Sequence, residues 1–154
     1  MMKSHTFLEM NQEQVQNLLK FIDALQDERM KRSIFSQLGH ECLYAHRLDD
    51  WIGRYTGNVP AFLDWVNVEK ASKYWEGLEF SEDGTTLILT GRQVEGCACA
   101  FADCPQPPLS LCHTCCTSFQ QALFGMLLGR KVEVKVTEAY LLGDERCSTT
   151  IHLV

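Results

Sequence analysis

The sequence predicts an α+β fold, with N-terminal helices followed by an antiparallel sheet with a packed amphipathic helix. Apolar residues recur at helical spacing through the first half of the chain. Near position 77 the period changes to two, and alternation returns after one long apolar helical pattern close to the end. The 154 residues, 45% of them apolar, suit a single domain with its own core. We read 1–76 as its helical part and 77–154 as an α+β, cysteine-rich part that resembles a ligand-binding unit.

The elements follow in order. Asn11 and Gln14 have the form of a capping box, and Val15, Leu18, Leu19, Ile22 and Leu25 share one face, which predicts a helix over 12–27. Met30, Ile34 and Leu38 predict a short second helix that Gly39 ends. A third is expected over 44–55, closed by Gly57. Pro60 then opens a fourth that carries Phe62, Leu63, Trp65 and Val66. Leu78, Phe80, an Asp83-Gly84 turn and 86–89 read as a β-hairpin.

The segment 91–111 holds Pro105, Pro107 and Pro108, which rules out a regular helix or a central strand and requires some other way of pinning it. A helix over 114–128 follows, with Phe119, Leu123, Met126 and Leu127 on one face and Gly129 as its stop. A last hairpin is expected from 131–142, a Gly143-Asp144 turn and 146–153. Strand parity places Val132, Val134 and Val136 on its buried face, and Glu138 and Tyr140 with them. Tyr140 should then lie opposite Cys147 and Glu138 opposite Thr149, so that Glu138 and Cys147 face one cavity.

Charge and hydropathy exclude some partners. A net charge of -6, from 20 acidic and 14 basic residues with no basic run, opposes docking on nucleic acid. The longest apolar stretches fall far short of the about 20 residues a membrane span needs. Glu9 stands where a secretory leader would carry its apolar core. A cytoplasmic setting is therefore expected, and in it thiols serve as metal ligands or catalytic groups more than as disulfides.

Six of the 8 cysteines fall between 97 and 116: Cys97, Cys99, Cys104, Cys112, Cys115 and Cys116, with His113 among them. Thiolates and imidazole suit zinc, copper(I) and iron-sulfur clusters. The leading metal ligands are Cys97, Cys99, Cys112 and Cys115, with His113 as the substitute for Cys112. The metal would order the proline-rich loop. Cys104, Cys116 and Cys42 read as small buried packing residues. Cys112 and Cys115 also have a redox reading, because a C-x-x-C at a helix entrance favours thiolate. Glu138 is either paired with Arg130 or Arg92, or is a ligand or proton-transfer group. Trp51, Trp65 and Trp75 read as core.

The order Leu128-Gly129-Arg130-Lys131-Val132-Glu133-Val134, Glu138 and Gly143-Asp144-Glu145-Arg146-Cys147 after a cysteine-rich loop resembles the C-terminal part of the vinyl-4-reductase (4-vinyl reductase) domain superfamily. It resembles most an uncharacterised bacterial branch labelled aminothiazoline-carboxylate hydrolase-like. The match covers 97–153. It implies a frequently dimeric α+β fold that holds a small hydrophobic molecule, with a zinc site of cysteines and an acid in sensor members. Cys147 takes the final cysteine position and Glu138 the acidic one, but Ala139 stands where many relatives carry another cysteine.

Three functions are thus expected. The first is a cytoplasmic, homodimeric small-molecule-binding or sensor-like domain with a cysteine-based zinc site, in which Glu138, Tyr140 and Cys147 contact the ligand. The second is a metal-dependent hydrolase with Glu138 as general base. The third is a thiol redox protein using Cys112 and Cys115. The residues alone do not decide whether the chain is an enzyme.

Overall fold

The structure, a computed structural model, describes residues 11–93 and 95–154. The reading of the N-terminal residues as lacking a secretory leader lies outside the described residues.

Among the described residues, five helices precede and interleave with four strands, giving the α+β class expected: α1 (Gln12–Asp23), α2 (Glu28–Ala45), α3 (Leu48–Gly53), α4 (Val59–Asn67), β1 (Trp75–Phe80), β2 (Thr86–Gly91), α5 (Thr117–Leu128), β3 (Val132–Glu138) and β4 (Ser148–Leu153). The Asn11 capping box forms in both directions. The first helix ends sooner than its apolar periodicity suggests, because the Asp27 side chain caps α2 by accepting from the Met30 N–H.

Gly39 does not end the second helix. It lies mid-way along α2, and a Cβ there would meet the Cys115 carbonyl oxygen at 2.2 Å. The glycine is a point of close helix-to-helix approach, and its missing side chain is the reason it is there. The actual break comes at Arg47, held at φ 54 before the short α3. Pro60 sits in the first turn of α4, as expected.

All strand pairs are antiparallel, in the order β1-β2-β4-β3. Leu78, Leu87, Leu89, Val132 and Ile151 turn one face of the sheet toward Leu123, Phe124 and Leu127 of α5 and Phe62 and Val66 of α4. The other face is polar where Glu133 and His152 pair and where Lys135 meets Thr150. This is a two-layer arrangement of helices on one side of a sheet. The tryptophans are core-associated, as expected: Trp51, Trp65 and Trp75 pack around Phe62, which stacks on Trp65 at 5.8 Å between ring centroids.

The last hairpin departs from its simple form. A bulge between Val136 and Glu138 places Glu138 opposite Ser148 rather than Thr149. Bulges re-aim the side chains beside them. The strands also stop short of a tight turn: a 3-10 turn over Tyr140–Leu142 and a left-handed Gly143 (φ 95) make a wider connection. Asp144 closes it, its carboxylate accepting from the Ala139 N–H at 2.9 Å.

Candidate functional site

The proline-rich loop reaches its place through α1. Gln12 Nε2 donates to the Ala100 carbonyl at 2.8 Å, and the buried Gln16 amide donates to the carbonyls of Asp103 at 3.0 Å and Ala100 at 3.4 Å. Ser110 donates to the Asp23 carboxylate. Beneath the loop, Cys97, Cys99, Phe101 and Leu141 pack on a second apolar cluster of Leu19, Phe35, Ala102, Leu111 and Cys115. Hydrogen bonds to one helix and an apolar floor therefore do the pinning that the sequence assigns to a metal.

That metal site is corrected. Among the described residues, no group of three or more His, Cys, Asp or Glu side chains is placed to hold a metal ion. The physical reasons are visible ligand by ligand. The chain from Leu111 to Cys116 forms a π-helical stretch that runs straight into α5, so Cys112 and Cys115 do not sit at an open helix entrance. Both are buried, with His113 exposed beside them. Burial pushes the Cys112 thiol up to about 11, and it raises Cys115 and Cys99 as well. Cys97 is engaged elsewhere.

Its partner is Cys147, the residue just before β4. The Cys97 thiol favours charge on Cys147 and holds it below the ordinary thiol value, while Cys97 itself is raised. The Tyr140 backbone N–H also donates to Cys147 Sγ, at 3.4 Å, and favours the same charge. Burial and the nearby carboxylates of Asp144 and Glu138 act against it. The direction of these shifts favours the charge on Cys147, and the pair joins the cysteine loop to the last hairpin.

The position of Cys147 is fixed by backbone contact. A Cβ on Gly91, at the end of β2, would lie 2.0 Å from the Cys147 carbonyl oxygen, so only glycine permits the approach. The Gly91 N–H donates to the buried Ser148 Oγ at 3.1 Å. An open cleft of about 480 Å³ lies alongside, lined by Gln93, Glu95, Tyr140, Gly143, Asp144 and Glu145.

The remaining expected residues divide. Glu138 is half-buried and close enough for its charge to act on Cys147. Neither arginine named as its partner reaches it, because Arg92 donates to the carbonyls of Ser72 and Lys70, and Arg130 to that of Val154. Tyr140 lines the cleft with its side chain exposed. Cys116 is raised to about 12 by burial and takes a hydrogen bond from Gln120. Cys104 donates to the Phe101 carbonyl. The pairing of Cys97 with Cys147 is the feature that sequence reasoning missed, having matched Cys97 with Cys99. The available signal was the expectation that Cys147 faces a cavity shared with Glu138, although Cys147 lies just before β4 and outside its alternation.

No protein-family model and no curated protein matches the chain. A similar solved structure is that of a trafficking protein particle complex subunit 3 from Naegleria fowleri covalently bound to palmitic acid, with a TM-score of 0.54 and 13% identity over 94% of this chain and 95% of that one. At that identity the likeness shows the fold. The labels metal-binding, zinc and vinyl-4-reductase-like, expected from the sequence, are corrected by these findings: the donors do not converge on a metal, and the matching structure is a trafficking-complex subunit. No helix of the described residues is long and apolar enough to cross a membrane.

Proposed function

We propose that this protein is a small-molecule-binding domain that captures an acyl chain on a cysteine, with Cys147 as the capturing group. The observation that carries the reading is Cys147 Sγ accepting from the Tyr140 N–H at 3.4 Å beside an open cleft, with Cys97 and that N–H holding the thiol below its ordinary value. A thiolate is the nucleophilic form of cysteine. Attack on the carbonyl carbon of an acyl thioester forms a new thioester at Cys147 and expels the donor thiolate. Phe101 and Leu141, partly buried at the margin of the cluster beneath the loop, are the apolar side chains nearest to hand for an acyl chain. The structural neighbour carries palmitic acid covalently, which supports the same class of ligand here.

A cytoplasmic setting fits eight free thiols. The neighbour is a subunit of a complex, and Leu18 and Phe21 on α1 are 44% and 67% exposed, in keeping with a chain that pairs with a second copy of itself.

The test is to incubate the reduced protein with palmitoyl-coenzyme A and read the intact mass. A single hydroxylamine-sensitive palmitoyl adduct should map to Cys147 and disappear in Cys147→Ser. An adduct that persists in that variant, or none in the wild type, rejects the reading.

A further inference from the structure

The two edges of the sheet are finished differently. β1 and β3 are its outermost strands. In an antiparallel sheet every second residue of an edge strand turns its N–H and C=O away from the sheet, where another chain can pair with them. On β1 those groups are taken. The Asn67 side chain accepts from the Leu78 N–H at 2.9 Å and donates to the Leu78 carbonyl at 2.7 Å, and Lys70 Nζ donates to the Glu76 carbonyl at 3.1 Å. A side-chain amide stands there in place of a further strand.

On β3 they are open. The Lys131 carbonyl accepts from the Val154 N–H, while the Leu153 N–H turns the other way, to Thr85, so Val132, Val134 and Val136 are the residues whose backbone groups point outward. Among the described residues, the Val132 carbonyl meets Gln121 Nε2 at 3.5 Å, and no hydrogen bond reaches the outward groups of Val134 and Val136. These two valines are half-buried although they lie on the helix-covered face, and Glu133, Lys135 and Thr137 are exposed on the other. The bulge after Val136 ends the regular run.

We propose that the β3 edge pairs with β3 of a second copy, antiparallel about Val134, and so continues the sheet across two chains. Outward groups must meet outward groups, which leaves registers centred on Glu133, Val134 or Lys135. A centre at Glu133 sets that residue against itself and Lys131 against Lys135, and a centre at Lys135 sets Lys135 against itself. A centre at Val134 places Glu133 of each copy opposite Lys135 of the other, two unlike pairs, with Val132 opposite Val136. Two short strands bury well below the roughly 800 Å² per partner of a standard stable interface. The contact therefore forms at higher concentration than the pairing through α1 and joins chains already paired there. It uses a different element from α1 and does not depend on acyl capture.

The experiment is sedimentation equilibrium of the full chain from micromolar to near-millimolar concentration, with amide exchange followed by NMR over the same range. The apparent mass should rise at the high end, and the Val134 and Val136 amides should gain protection there while those of Glu133 and Lys135, which face β4, stay as they were. Glu133→Lys and Lys135→Glu each set like charges opposite one another and should weaken the association about tenfold. An equimolar mixture of the two variants restores unlike pairs between chains and should recover it, which a folding defect would not do. A wild-type mass that does not rise, a rise unaltered in both variants, or one that mixing does not recover overturns the proposal. If Phe21→Glu leaves the low-concentration mass unchanged while the charge variants behave as expected, the β3 pairing stands and the pairing through α1 alone is rejected.

Discussion

Two cysteines of one protein differ here because of what lies within bonding reach of each sulfur. Cys147 has two donors, the Cys97 thiol and the Tyr140 N–H, and they outweigh burial and two neighbouring carboxylates. Cys112 has burial acting on it above all, and the charges of other thiols push it the same way. The sign of the pH dependence follows. Thiolate is the reacting form, so alkylation speeds up as pH rises through each group's own value. Cys147 is held below the ordinary thiol value and Cys112 is pushed up to about 11, so at neutral pH ionisation favours Cys147 over Cys112. Peptide-resolved iodoacetamide rates should show Cys147 as the fastest thiol at neutral pH. Its rate should fall about tenfold per pH unit on the acid side of its midpoint. Parallel profiles for Cys147 and Cys112 would contradict the shared-proton arrangement.

At the level of elements, the site depends on two glycines that read from sequence as helix or strand punctuation. Gly39 lets α2 lie against the π-helical stretch that carries Cys112 and Cys115, and Gly91 lets the end of β2 touch the backbone of Cys147. An added methyl at Gly39 points at a carbonyl oxygen, which no rotamer change can move aside. Gly39→Ala should therefore lower stability by about 2 kcal/mol, offset only in small part by alanine's better helix propensity. Urea unfolding reads this directly, and an unchanged or raised midpoint would show that the two helices separate at little cost. Alanine at an exposed mid-helix position would stabilise, so the sign itself distinguishes a packing glycine from a helical one.

For the molecule as a whole, the sheet and its covering helices bury one apolar face, while α1 stands somewhat apart, holding the cysteine loop through Gln12 and Gln16. Its outer side leaves Leu18 and Phe21 exposed one turn apart, with Met30 of α2 52% exposed. A second copy covering this side is the expected arrangement. Light scattering of the purified chain should give the mass of a dimer, and Phe21→Glu should shift it to monomer with the melting curve preserved. A wild-type monomer at all accessible concentrations would remove the pairing.

Much of this was readable from residue order because it depends on local period. The capping box at Asn11, Pro60 in the first turn of α4, the Asp83-Gly84 hairpin and the valine face of β3 each involve neighbours a few positions apart. What residue order did not contain was convergence. The cysteine density between 97 and 116 suggests a metal, yet a metal needs several donors aimed at one point, and that is decided by how α2, α5 and the last hairpin pack. Tertiary structure buried Cys112 and Cys115, left His113 outside, held the loop with two glutamines, and set Cys97 against Cys147. Local sequence determines which way a side chain leaves its own strand or helix; only packing across the chain determines which other side chain it meets.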